Sequence, residues 1–483
     1  MSNSIEHSHT HPKALWYLSL IYALYAIAYG VLFANLLIYS QTKTVGFLEN
    51  YAFEFMASFT SLTFILPLIG GSLADKFGFK NAIRVGLIFC IIGFALLSIN
   101  NSLCFYLGVS FALAGNALSM PSIWSMVGMI YNKDDSTRES GATIFYFLFN
   151  IGFLISFSCS PLMATYIDYH IMFAVFGICF VLAFVVYILL HKKIEQDIKC
   201  KINSYFQKNI SNISILTLFA VLGVVISLIC LLFLSVNQVI VWAVTVLALI
   251  YLVYLSFKQN DKSSAKKIYA FILLCILAVA YITIYNSEFN LLPDFIEHNV
   301  NSMVGSFNIP SSMVVSLDPL FCIIIGFMLG KLWVNLAKKD KNPSLSTKFS
   351  LGLIISALGY ILLSYFIKMD ISKEMSILLT IPVFVLFVCG ELLVLPIGIA
   401  MSGRLSPEGK EGLFMGVWNL IQGTSALVTG YIASFTVVNI QTSITEKNVQ
   451  YFKVFIIFGG VVLLFGVIAF CIRKHFNRLT NSN

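Results

Sequence analysis

Five acidic residues stand in stretches otherwise fit for the interior of a bilayer: Glu54, Glu288, Asp294, Asp318 and Glu391. A charged side chain at mid-bilayer costs about 2.5–3.5 kcal/mol on insertion scales, so such residues mark substrate or ion pathways. Glu391 is the clearest, deep in the run from Val388 through Cys389, Gly390 and Leu392 to Pro396. A carboxylate there can hold an ammonium group or carry a proton; otherwise it is a neutral packing acid. Gly390 beside it would leave room for a ligand to approach. Asp318 precedes Pro319 near the start of a span, where helix capping is the competing role. Asp294 follows Pro293 close to a membrane surface, where simple solvation competes. Glu54 lies within two turns of a span start and can snorkel.

The chemistry that is missing narrows the function. No histidine sits in mid-span; His170, His191 and His298 fall at span ends. The sequence shows no metal triad, no ordered Ser-His-Asp set and no phosphate-cradling glycine loop, which argues against an enzyme and against an ATP-driven pump. The ten cysteines are scattered singly and read as small packing residues. His7, His9 and His11 in the polar tail read as a solvated segment, with a weak metal site as the alternative. No cofactor and no metal are expected. An ion-coupled or passive carrier remains.

The elements that must hold these acids are hydrophobic helices. Of 483 residues, 59% are hydrophobic and 11% are charged, against roughly 25% charged in soluble proteins. With roughly 20 apolar residues needed per crossing, the chain predicts fourteen spans, at about 14–39, 48–74, 80–99, 101–131, 140–166, 170–191, 212–233, 236–257, 267–295, 311–336, 346–367, 375–402, 412–436 and 449–472. Residues 1–13 run straight into the first span, with no cleavable signal pattern.

With both termini cytoplasmic, 25 of the 30 Lys and Arg residues fall on the cytoplasmic side and 5 on the other, the asymmetry of the positive-inside rule. The net charge of +8 therefore belongs to short loops and does not indicate nucleic acid. It also leaves no cation for the middle of any span. The longest polar interruptions, 192–211 and 258–266, bracket an aliphatic pair of spans. The predicted organisation is a tail (1–13), a six-helix bundle (14–191), linkers with a two-helix insert (192–266, with the insert at 212–257), a second six-helix bundle (267–473) and a tail (474–483). The fold class is all-α membrane protein of the major facilitator type, set in the inner membrane and working as a monomer.

Three segments resemble the proton-dependent oligopeptide transporter family, a branch of the major facilitator superfamily. Gly70-Gly71-Ser72-Leu73-Ala74-Asp75-Lys76-Phe77-Gly78 is similar to the superfamily's loop between helices 2 and 3. Gly115-Asn116-Ala117-Leu118, then Tyr146, Asn150-Ile151-Gly152 and Pro161, follow the family across helices 4 and 5. Ser316-Leu317-Asp318-Pro319, Gly390-Glu391-Leu392-Leu393, Pro396-Ile397-Gly398 and Met415-Gly416-Val417-Trp418 match in the second half. The resemblance covers about residues 14 to 472 and extends to the two-helix insert. It implies proton-driven uptake of di- and tripeptides by alternating access. Glu391, Asn150, Asp318, Trp418, Tyr29 and Tyr146 would then meet substrate, and Glu288, Asp318 and Glu391 would couple protons. Asp75 would brace a gate.

The sequence also departs from the family pattern. The Glu-x-x-Glu-Arg signature of helix 1 is replaced by Ile21, Leu24 and Tyr25, a further arginine by Leu32, and the helix 4 lysine by Met120. The helix 7 coupling acid falls on Ser287, with Glu288 one residue on. A carrier or exporter of cationic amines, and a transport-inactive receptor, stand as alternatives.

Overall fold

The computed structural model describes residues 11–131, 138–199, 213–259, 261–339, 341, 343–407, 410–437 and 443–480. His7, His9, Lys133, Cys200, Lys201 and Lys208 lie outside the described residues. The first half comprises α1 (Lys13–Gln41), α2 (Glu49–Phe77), α3 (Phe79–Leu97), α4 (Ser102–Ile130), α5 (Arg138–Tyr166) and α6 (Tyr169–Lys199). The insert is α7 (Ile213–Leu232) and α8 (Leu234–Lys258). The second half comprises α9 (Lys262–Ser287), the short α10 (Leu291–Asn299), α11 (Leu317–Ala337), α12 (Leu345–Met369), α13 (Thr380–Arg404), α14 (Glu411–Ser434) and α15 (Ile444–Thr480). Thirteen of these segments are long and apolar enough to cross a membrane. With α14, the chain has fourteen long helices.

The outer surface fits lipid. Leu218, Val239, Leu247 and Phe327 are all more than half exposed, which water would penalise and hydrocarbon does not. Inside, small residues let backbones close up, the usual substitute for hydrophobic driving force between membrane helices. A Cβ on Gly70 would lie 1.9 Å from the carbonyl oxygen of Ala117, so α2 and α4 touch there along their backbones. Gly86 and Gly93 of α3 meet Gly115 and Gly108 of α4 in the same way.

Within the first half α1 packs on α5 and α6, and α3 on α4; within the second, α12 packs on α13 and α15. The halves meet along two seams, α2 against α14 and α5 against α11. α7 lies against α2, α3 and α4, whereas α8 lies against α9, α14 and α2, so the insert straddles one seam.

One expected span is broken. The stretch 267–295 is not a single helix: α9 stops at Ser287 and α10 begins at Leu291. Glu288, Phe289 and Asn290 donate their backbone N–H groups to the carbonyls three residues back, the tight bonds that end a helix. Pro293 is tolerated in the first turn of α10, where its missing N–H would have been unpaired anyway. Likewise 311–336 opens as a 3-10 turn over Ser311–Ser316 before α11. Segment 375–402 opens with a two-residue strand and a 3-10 turn before α13. Two small ladders cap this end of the molecule, which is opposite the termini and is called distal below. β1 (Val300–Asn301) pairs in parallel with β4 (Met375–Ser376), and β2 (Met303–Val304) pairs antiparallel with β3 (Phe307–Asn308).

Candidate functional site

The break after α9 and the Asp-Pro start of α11 bring three acids to one place. Asp318, on the first turn of α11, and Glu391, mid-way along α13, are both buried. Cys322, one turn beyond Asp318, stands between them. Its thiol lies 3.2 Å from Glu391 Oε2 and 3.9 Å from Asp318 Oδ1. The ligand atoms of all three lie within 4.8 Å of one another. Glu288, the C-cap of α9, is buried and faces the same group, and its Oε2 has no partner among the described residues. Tyr281 and Tyr285 of α9 face Glu391 as well. Across the seam, Tyr146 of α5 closes on Glu391 while remaining 38% exposed.

No Lys or Arg among the described residues pairs with these carboxylates. An unpaired buried charge costs several kcal/mol even after relaxation. The group is therefore built to hold protons, a cation, or each in turn.

The first half contributes a neutral, aromatic wall where the helix 1 charges are missing. Tyr25 donates to Asn116 Oδ1 at 2.6 Å, and Asn116 Nδ2 donates to the Thr63 carbonyl at 3.2 Å. Tyr29 and Thr63 share a hydroxyl bond of 3.2 Å. Tyr22, Tyr25 and Tyr29 stack in sequence, with centroids 5.8 and 5.5 Å apart. A phenol at position 25 satisfies Asn116 without a charge.

Several expectations need correction. Gly390 does not open space for a ligand: a Cβ there would lie 1.7 Å from Ser356 Oγ and 2.8 Å from the Gly352 carbonyl, so it serves the contact of α13 with α12. Trp418 does not line open space; it is fully buried with its ring on Gly398, where a Cβ would come within 2.0 Å. Its Nε1 has no partner among the described residues. Asp75 is exposed at the end of α2 and makes no hydrogen bond or ion pair among the described residues. Asp318 does not cap α11 through a backbone N–H; its hydrogen bond is to Cys322. Asp294 is not solvated: it is fully buried and accepts from Tyr451 at 2.7 Å and Gln41 at 3.3 Å. Asn150 Nδ2 donates to the Tyr146 carbonyl on its own helix, at the edge of the site. Glu54 is half-buried.

The sequence reading missed Cys322, Tyr281 and Tyr285. The signal for Cys322 was its spacing of four from Asp318, which puts both on one face of a helix.

Three hydrogen bonds among the described residues join the halves towards the distal end. Gln41 reaches Asp294, Asn290 Nδ2 donates to the Phe53 carbonyl at 3.4 Å, and Tyr166 donates to the Asn308 carbonyl at 2.8 Å. Phe289 plugs the same region against Phe33 and Phe157, with centroids at 5.1 and 5.9 Å.

Comparison with known proteins agrees with this geometry. The profile of the POT family (PTR2) matches residues 80–450. An uncharacterized transporter, YclF of Bacillus subtilis, is 27% identical over 468 residues, covering 94% of this chain and 93% of its own. Dipeptide and tripeptide permease B of Salmonella typhimurium is 27% identical over 456 residues, covering 91% and 90%. Among solved structures, a peptide transporter POT in complex with sulfate superposes with a TM-score of 0.85 at 22% identity, over 98% of this chain and 96% of that one. A POT family transporter in complex with 5-aminolevulinic acid gives 0.83 at 21% identity, over 96% and 97%. At these identities the structures speak for the fold alone.

Proposed function

The chain belongs to the POT family of transporters, and from that premise we propose that it takes up di- and tripeptides with protons, by alternating access. The observation that carries this reading is the buried group of Glu288, Asp318 and Glu391 without a basic partner among the described residues. Glu391 binds the peptide's ammonium, and the acids around it exchange the protons. The relatives named dipeptide and tripeptide permease support the substrate class. The charge asymmetry of the loops supports an inner-membrane protein with cytoplasmic termini, so that the distal end faces outward. The proton gradient is the driving force, with no cofactor, and the monomer is the working unit.

The same acids favour one rival. A site with three carboxyls and no cation suits an amine without a carboxylate, so a carrier or exporter of cationic amines is the second reading. Uptake of labelled dipeptides into proteoliposomes, with and without an imposed proton gradient, separates them. The proposal expects gradient-driven accumulation. Accumulation indifferent to the gradient would replace symport by facilitated diffusion, and transport of amines without peptides would replace the substrate.

A further inference from the structure

A cavity of about 370 Å³ opens at the distal end between the two halves. Its volume falls within the range of roughly 300–1,000 Å³ usual for small-molecule pockets. Asn35, Thr165 and Tyr169 line it from the first half, and residues 297–312 with Glu374 line it from the second. Its mouth is exposed and its floor is buried. On the floor, Ser311 and Ser312 are 4% and 6% exposed, and their hydroxyls have no hydrogen-bond partner among the described residues. Both hydroxyls line the cavity and stay accessible from it, so they are free to bond whatever polar groups enter.

The charged residues of the lining are both acidic. Glu297 sits on α10 and Glu374 lies 77 positions later in the chain. The parallel ladder of β1 and β4 joins the two segments, since Val300, three residues after Glu297, pairs with Met375, the neighbour of Glu374, and both acids are exposed at the cavity. The nearby Lys373 pairs with Asp370, at 2.9 Å.

We propose that this distal cavity is a second binding site for short peptides or their amides, with the ammonium at Glu297 and Glu374 and the backbone polar groups at Ser311 and Ser312. It rests on the peptide reading above and adds an outward-facing station before the central acids. The segment that floors it runs straight on to Asp318. Asp318 lies six positions after Ser312, roughly 12 Å at the rise of a 3-10 helix. Both stations select the same group, so a ligand accepted at the first carries the cation that the second lacks. Clefts lined by one sign of charge also raise the local concentration of a counter-charged ligand.

The test uses the full chain in nanodiscs of neutral lipid, with Glu391→Gln to remove the central anchor. Equilibrium binding of lysyl-alanine is measured there, and again after adding Glu297→Gln and Glu374→Gln. Weak saturable binding is expected in the first protein. It should fall roughly fivefold in the second, the scale of two exposed ion pairs, and N-acetylation of the ligand should produce a similar fall. In the otherwise unaltered transporter, the two glutamine substitutions should raise KM for lysyl-alanine about threefold at low ionic strength, with the difference shrinking in high salt. Absence of saturable binding in the Glu391→Gln protein, or a KM and salt dependence unmoved by the two substitutions, would overturn the distal site. Failure of the central reading is distinct: Glu391→Gln would then leave peptide competition intact whatever the distal acids do.

Discussion

At the scale of single residues, the centre of this protein is a charge problem. Glu391 and Asp318 share one thiol, Cys322, and Glu288 adds a third carboxyl with an unpartnered oxygen. An ammonium ligand would supply the missing charge through charge-assisted hydrogen bonds, about twice as strong as neutral ones. Glu391→Gln should therefore weaken binding of an amino-terminal ammonium by about 1.5–3 kcal/mol, read by competition among lysine-containing, alanine-only and glutamate-containing dipeptides. If the glutamate peptide competed best, or the substitution changed nothing, Glu391 would not be the anchor. The other two acids address the proton. With Ile21 and Leu24 where the family pattern has helix 1 acids, the proposed coupling falls to the second half. Asp318→Asn or Glu288→Gln should remove the response of uptake to an imposed pH gradient while counterflow exchange persists. A variant that kept gradient-driven accumulation would clear that acid of the role.

At the scale of elements, the helices are held by contacts too close for a side chain. Gly70 is the sharpest case, since a Cβ would strike the backbone of Ala117 and a backbone cannot swing aside. Gly70→Ala should cost about 1–3 kcal/mol, the usual penalty of overpacking, and lower the melting temperature in detergent. Gly128, also helical but with nothing within 4 Å of the added atom, is the matched control and should tolerate alanine. Equal behaviour of the two variants would mean that α2 and α4 do not meet as described. This level was largely legible in the sequence, because bilayer thickness fixes the length of an apolar run. The break at Glu288 was not. Asn286, Ser287 and Asn290 mark it only weakly within an apolar run, and only the turn bonds show that α9 ends there. The site was legible in its acids and not in its thiol. A lone cysteine reads as packing until another element brings Glu391 to it. Gly390 and Trp418 were misplaced for a related reason: a motif gives residue order, whereas facing α12 or Gly398 is a matter of helix rotation.

At the scale of the whole molecule, the halves are locked at one end. Tyr166, Gln41 and Asn290 carry hydrogen bonds across the distal seam, and Phe289 fills the space between Phe33 and Phe157. Alternating access requires this end to part when the other closes, so these contacts set the balance between the two states. Each aromatic pair contributes about 0.5–1.5 kcal/mol beyond its buried area. Phe289→Ala deletes both of its pairs that cross between the halves and should shift the population towards the distally open state by roughly five- to a hundred-fold. A single cysteine introduced as Ser312→Cys on the cavity floor, in a background without reactive native thiols, reports the opening. Its labelling by a membrane-impermeant maleimide from the distal side should accelerate when Phe289 is truncated. Peptide should slow it again if the central acids draw the halves together around a ligand. Because maleimide reaction reads exposure directly, a slower transporter with an unchanged labelling rate would show that Phe289 packs the second half without gating the passage between the halves.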